Sequence, residues 1–70
     1  MKPQHERILR FMDEHGSITP MEAFSELGIT KLSTRIGEMI ESGISIEKHR
    51  EIGKNRVGEK VNYMRYTKGE

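Results

Sequence analysis

Apolar residues first recur at helical spacing in the segment between Pro3 and Gly16. Proline suits the first turn of a helix, because its missing N–H would have no partner there, and glycine commonly ends a helix. The pattern therefore predicts a first helix over about residues 3–15. We expect its buried side to carry Ile8, Leu9, Phe11 and Met12.

A second, shorter helix is predicted over residues 20–27, after a short extended link through Ile18. The sequence Thr19-Pro-Met-Glu22 forms a capping box, in which the threonine hydroxyl accepts from the glutamate backbone N–H and the carboxylate accepts from the threonine N–H. Gly28 ends the helix, because glycine adopts the left-handed conformation at little cost. The expected buried side carries Ala23, Phe24 and Leu27.

A third helix is predicted over about residues 31–42, with Thr30 as its N-terminal cap. Gly37 weakens this helix, since glycine costs about 1 kcal/mol relative to alanine in a helix interior. The apolar stripe that should face the core comprises Leu32, Ile36, Met39 and Ile40. The opposite side should carry Lys31, Thr34, Glu38 and Glu41, flanked by Ser33 and Arg35.

After the third helix the apolar pattern changes to a period of 2, which predicts a hairpin with strands over about 44–52 and 60–67. The sequence Asn55-Arg-Val-Gly58 fits a type I turn followed by a left-handed glycine, so Asn55 should pair with Glu59. This register points one set of side chains toward the helices: Ile46, Ile52, Met64 and Tyr66. It points the other set away: His49, Glu51, Val61, Tyr63 and Arg65.

The apolar face of this hairpin is interrupted by Lys48 and Arg50, so the first strand should project beyond the core into solvent. The order of elements is helix, short strand, helix, helix, strand and strand, which is an α+β fold. A chain of 70 residues has room for one small core, so we expect residues 1–70 to form a single domain.

The composition of the chain restricts its chemistry. It contains no cysteine, which removes disulfides, thiolate nucleophiles and the commonest structural zinc sites, and agrees with a reducing compartment. No apolar run approaches the roughly 18 residues of a membrane span, and the first residues lack the apolar stretch of a signal peptide. We therefore expect a cytoplasmic protein.

Charge is unevenly distributed along the chain, although the net charge is only +1. Acidic side chains outnumber basic ones in residues 1–30, whereas residues 48–68 carry seven basic and two acidic side chains. A locally basic segment favours contact with nucleic-acid phosphates. Candidate nucleic-acid chemistry therefore centres on the hairpin.

Two groups of residues are candidates for contact with duplex DNA. On the third helix, Arg35 can donate two hydrogen bonds to a guanine, and Lys31 can hold a phosphate near the helix start. Ser33 and Thr34 can contact bases or phosphates. The hairpin turn supplies a cationic tip of Lys54, Asn55, Arg56 and Lys60.

Glu38 and Glu41 are the main evidence against this assignment, because carboxylates on the same side of the helix repel phosphates unless they lie beyond the groove. Solvated helix charge is the simpler role for both, with hydrogen bonding from cytosine as the alternative for Glu38. A lone lysine or arginine usually belongs to a solvated face. The assignment therefore depends on the helix and the hairpin together.

Other functional chemistry has little support in the sequence. His5 and His15 share one side of the first helix without carboxylate or thiol partners at ligand spacing, so no metal site is expected. No catalytic constellation or phosphate-binding glycine loop is present, so we expect neither an enzyme nor a cofactor. Val61 and Tyr63 form an apolar pair on the outer hairpin face, which favours the alternative of a dimer or partner surface.

The segments Gly16-Ser-Ile-Thr-Pro, Leu32-Ser-Thr-Arg-Ile and Asn55-Arg-Val-Gly resemble the small winged helix-turn-helix domain family common in phage and prophage genomes. The resemblance covers nearly the whole chain. It implies a winged-helix DNA-binding fold, with family motif positions at Ser33, Arg35, Asn55 and Arg56. Gly37 departs from the family pattern, in which a bulkier residue is usual.

The leading hypothesis is a duplex-DNA-binding winged helix that serves as a small transcriptional or phage regulator in a bacterial or phage-infected cell. The helix at 31–42 would occupy the major groove, and residues 53–60 would lie on the phosphate backbone or in the minor groove. The expected partner is double-stranded DNA, with a homodimer as an option and without a membrane or small-molecule ligand. The alternative is a winged helix that serves as a protein-protein interaction or dimerisation module.

Overall fold

The computed structural model describes residues 2–69, which form three helices followed by a two-stranded antiparallel sheet. The elements are α1 (Pro3–His15), α2 (Pro20–Leu27), α3 (Leu32–Glu41), β1 (Ile46–Lys54) and β2 (Lys60–Lys68). Their bounds agree with the predicted ones to within two residues. Across the described residues, none of the helices combines the length and the apolar character needed to cross a membrane.

The N-termini of α2 and α3 are capped differently. The Thr19 hydroxyl accepts from the Glu22 N–H at 3.2 Å, and the Glu22 carboxylate accepts from the Thr19 N–H at 3.0 Å, which confirms the capping box. At α3 the cap position is held by Lys31, and no side chain of the described residues caps it. The predicted cap at Thr30 is wrong. The helix begins at Leu32, so the cap position falls on Lys31, one residue after Thr30.

One small core lies between the helices and the base of the hairpin. Its buried apolar members are Ile8, Phe11, Met12, Ile18, Ala23, Ile29, Leu32, Ile36, Met39 and Tyr66. The predicted extended link through Ile18 is confirmed, since its backbone exchanges two hydrogen bonds of 2.9 Å with Tyr66. This bridge fastens the base of the hairpin to the helices.

Three residues that we expected in the core are exposed: Phe24 by 60%, Ile40 by 39% and Ile52 by 70%. Phe24 and Ile40 each lie about 100° around their helix from a buried neighbour, outside the narrow stripe that is covered. Ile52 lies toward the tip of the hairpin, which projects from the core as Lys48 and Arg50 had indicated.

The hairpin has the predicted register. Lys54 pairs with Lys60, and the Asn55 N–H donates to the Glu59 carbonyl at 3.0 Å. Gly58, at φ +84°, follows the turn and donates its N–H to the Asn55 carbonyl at 3.1 Å. The turn is therefore the predicted type I turn with a left-handed glycine.

The outer face of the hairpin differs from its prediction, because Val61, Tyr63 and Arg65 are half-buried. Arg65 ties this face to the start of α2: its Nη1 donates to Ser17 Oγ at 2.8 Å and lies 3.9 Å from Glu22 Oε1. A second bond of 2.8 Å, from Nε to Glu51, crosses the hairpin itself. The face predicted to point away from the helices is thus partly covered by the α2 N-terminus.

Candidate nucleic-acid interface

One side chain, that of Asn55, makes three hydrogen bonds within the hairpin turn. Asn55 Oδ1 accepts from the backbone N–H groups of Val57 at 3.1 Å and Glu59 at 3.0 Å, and its amide donates to the Glu59 carboxylate at 3.4 Å. These bonds use the Asn55 acceptor inside the turn. We call residues 54–60 the wing tip. Within it, the Asn55 side chain bonds to Val57 and Glu59 and so connects the two sides of the turn.

The cations of the wing tip are fully available to a partner. Lys54, Arg56 and Lys60 are exposed, and none of them forms an ion pair with any residue of the described range 2–69. Lys54 and Lys60 are directly opposite each other in the antiparallel register. Like charges in that position destabilise a hairpin, so this placement works against folding unless an anion lies nearby.

The first turn of α3 offers a second surface of the predicted kind. Lys31, Ser33 and Thr34 are all exposed. Because no described side chain caps this helix, the backbone N–H groups of its first turn lack intramolecular side-chain acceptors. The positive end of a helix dipole and free N–H groups together suit a phosphate oxygen.

Arg35, the predicted guanine-binding residue, lies in a more enclosed setting. Its Nη1 donates to both carboxylate oxygens of Glu38, at 3.0 and 3.3 Å, and its side chain is 24% exposed. Nε and Nη2 make no hydrogen bond within residues 2–69, so one donating edge of the guanidinium remains available. Arg35 is turned toward the first turn of α1, where it lines a hollow with Lys2 and Arg7.

Glu38 does not face away from the protein as predicted, because its carboxylate is the centre of a small network. His5 Nε2, buried under the helices, lies 2.9 Å from Oε1, and Lys2 Nζ lies 3.6 Å from Oε2. The hydrogen bond from His5 is the main reason that the pKa of Glu38 is lowered, and the charges of Arg35 and Lys2 add to it. The repulsion expected of Glu38 toward phosphates is therefore largely neutralised within the protein.

Glu41 keeps its predicted exposure, but it lies at the C-terminal end of α3, away from the first turn. The two histidines of α1 serve separate contacts: His5 meets Glu38, whereas the His15 ring packs on Phe11 with centroids 4.3 Å apart. In the described part of the chain, no set of three or more possible metal ligands comes together.

Sequence reasoning missed the contribution of Lys2 and Arg7, which lie beside Arg35. Both residues precede α3 by more than twenty positions. The spacing of apolar residues at the start of the chain shows which side of α1 is buried, but not which part of α3 lies beside it. The one available signal was His5, a polar residue on the apolar side of α1. A polar group in that position needs a partner from another element.

A family model described as a winged helix-turn-helix domain matches residues 3–68 of the chain. The match includes all three helices and both strands of the structure. No protein with a curated description and no solved structure shows a significant match.

Proposed function

The chain belongs to the winged helix-turn-helix domain family, and we propose that it binds duplex DNA as a small transcriptional or phage regulator. Binding to DNA is the general role of this family, whose helix-turn-helix places its second helix in the major groove. In the proposed complex the N-terminal half of α3 enters that groove, and the wing tip lies on the phosphate backbone or in the minor groove. Such a protein acts by occupying its site in the cytoplasm.

The observation that carries the proposal is the wing tip. Three exposed cations stand on or beside a turn in which Asn55 makes three hydrogen bonds, and two of them, Lys54 and Lys60, oppose each other across the strands. A polyanion such as DNA would relieve that repulsion by lying between or beside them. The fixed turn also limits the conformational entropy lost on binding.

On α3 the proposed contacts are those of its exposed first turn. Ser33 and Thr34 are placed to contact bases or phosphates, and Lys31 to hold a phosphate at the helix start. Arg35 retains its Nε and Nη2 donors for DNA while Glu38 occupies Nη1. Of the two carboxylates of α3, Glu38 is paired within the protein, whereas Glu41 forms no ion pair within residues 2–69 and remains as an opposing charge.

Salt dependence tests the proposal without knowledge of a target sequence. Each phosphate neutralised by the protein adds about −0.9 to the slope of log K against log salt. Fluorescence anisotropy with a random-sequence duplex should therefore give a steep negative slope, and a flat slope would rule out the DNA-binding function. Selection from a random duplex pool then identifies any preferred sequence.

A second candidate function, a protein-interaction or dimerisation module, is favoured by the apolar surface around α2. Val61 and Tyr63 line a groove of about 540 Å³ together with the start of α2. Met21 at its edge is 73% exposed, and Phe24 on the same helix is 60% exposed. Sedimentation equilibrium of the parent and of Met21→Ser tests this alternative, which predicts self-association that resists salt and is lost in the variant.

A further inference from the structure

A surface hollow of about 460 Å³ lies between the first turn of α1 and the flank of α3. We call it the junction hollow; its lining consists of Lys2, Pro3, Gln4, Arg7 and Arg35. Three of these five side chains are cations: Lys2 caps the start of α1, Arg7 lies in α1 and Arg35 lies in α3. No carboxylate is among the lining residues.

We propose that the junction hollow binds a phosphate of the DNA backbone, and that Glu38 and His5 are positioning residues for its cations. The proposal rests on the proposed DNA-binding function and extends it to α1, which sequence analysis did not include in the interface. It also gives a role to His5, a buried polar residue that the wing and the first turn of α3 do not use.

The charges around the hollow are not balanced within the protein. Arg35 and Lys2 share the single carboxylate of Glu38, with contacts of 3.0 and 3.6 Å. Arg7 makes no ion pair with any residue from 2 to 69, although it also borders a neighbouring hollow that contains Glu14 and Glu26. Three cations against one carboxylate leave an excess of positive charge, which a single phosphodiester would reduce.

Glu38 contacts Arg35 of α3 and Lys2, which precedes α1, and His5 in turn contacts Glu38. The residue His5 is only 6% exposed, and its ring nitrogen lies 2.9 Å from the carboxylate. The hydrogen bond to this buried histidine fixes the position of the Glu38 carboxylate, and therefore the side from which Glu38 bonds to Arg35. The Nη1 atom is thereby occupied, and Nε and Nη2 form the free edge.

The chemistry of that free edge matches a phosphate. Two parallel N–H groups of a guanidinium can bind two oxygens of one phosphate, which is the geometry that favours arginine at phosphate sites. When a helix lies in the major groove, the residues on its flanks approach the sugar-phosphate strands that border the groove. Arg35 is on such a flank, and Lys2 and Arg7 extend it toward α1.

The first test compares two arginines of the same helix. Arg7→Gln removes a cation of the junction hollow, whereas Arg10→Gln removes an equal charge that lies beside Glu14 and Glu26 in the neighbouring hollow. Both side chains are exposed, so neither change should unfold the protein. With a random-sequence duplex, R7Q should bind several-fold more weakly on all sequences and lower the salt slope by about one, while R10Q should change the slope little.

The second test separates positioning from plain electrostatics. If net charge alone determines affinity, removing either carboxylate of α3 should tighten DNA binding. We expect this result for Glu41→Gln, because Glu41 is exposed. We expect Glu38→Gln to weaken binding instead, because Arg35 and Lys2 lose the group that holds them. His5→Gln, which keeps a donor, should bind more like the parent than His5→Met, which does not.

The outcomes distinguish this proposal from the one on which it rests. If the parent shows no salt-dependent binding, both are overturned. If the parent and the wing bind DNA but R7Q and R10Q behave alike, the junction hollow is not a phosphate site. If E38Q binds at least as tightly as E41Q, the positioning roles are wrong. Thermal unfolding of each variant, monitored by circular dichroism, confirms that the compared proteins are folded.

Discussion

The two ends of the hairpin, which are formed by the same pair of strands, differ in how far they are buried. At the base, Tyr66 is 4% exposed and is bonded through its backbone to Ile18. Toward the tip, Ile52 has the same inward orientation but is 70% exposed, and Lys54 and Lys60 oppose each other at the turn. The base is therefore part of the core, whereas the tip is an extension into solvent.

This difference separates stability from binding along one element. The base is held by burial, which is worth several kcal/mol for a large side chain. The tip is held by the chemistry of its turn, chiefly Asn55 and Gly58. Changes at the base should thus unfold the protein, and changes at the tip should alter what it binds.

The largest expected effect comes from the same substitution made beside the base of the hairpin and near its tip. Ile18→Ala removes a fully buried side chain and should lower the free energy of unfolding by about 2–5 kcal/mol. Ile52→Ala removes an exposed one and should change that free energy by less than about 0.5 kcal/mol. Urea unfolding followed by circular dichroism measures both. Equal losses would show that the tip belongs to the core.

A smaller effect is expected at the turn. Gly58 has φ +84°, a conformation that costs a side-chain-bearing residue about 1–2 kcal/mol, so Gly58→Ala should destabilise the protein by about that amount. Gly37→Ala is the matched control with the opposite sign. A Cβ at that helical position meets no atom within 4 Å, so the alanine should stabilise α3 by up to about 1 kcal/mol. The same urea titrations decide, and a stable G58A would contradict the turn assignment.

At the tip, Arg56→Ala should weaken binding to all duplex sequences and reduce the salt slope by about one. Its free energy of unfolding should stay within about 0.5 kcal/mol of the parent, because the side chain is exposed. Arg50→Ala, on the strand nearer the base, should weaken binding less. If R50A and R56A have equal effects on affinity, the tip has no special part in binding.

The smallest effect concerns pH. The hydrogen bond from Arg65 lowers the pKa of Glu51 in the folded protein. A carboxyl with a lowered folded pKa contributes stability above its unfolded pKa, and this contribution is lost as pH falls through the folded value. Stability should therefore decline as the pH falls below the ordinary glutamate pKa of 4.5, and the stability of Glu51→Gln should decline less there. Because the pair is solvent-accessible the difference should be small; Glu26→Gln, outside the hairpin, is the control.

Local sequence signals predicted the elements well. The capping box of Thr19 and Glu22 and the Asn55–Gly58 turn involve residues that are at most four positions apart. Their hydrogen bonds form within one turn of the chain, so the residue types alone are informative. The strand register followed from the turn, because a hairpin loop fixes which residues face each other.

Burial was predicted less well, since a periodic pattern identifies a face without showing what covers it. Phe24, Ile40 and Ile52 have the expected spacing but are exposed. Ile29, in the link after α2, is 3% exposed, although no period includes it. In a 70-residue chain the core is too small to cover every apolar position.

The sequence by itself determined the capping box of α2, the hairpin turn and the strand register, because each depends on contacts between near neighbours in the chain. The winged helix-turn-helix fold followed from the order of the elements and from the family resemblance. Only the tertiary structure decided that Glu38 meets His5 and Lys2, and that Ser17 and the start of α2 partly cover the outer hairpin face. Those contacts join residues more than thirty positions apart. Their partners are chosen by how the helices pack, which no local period encodes.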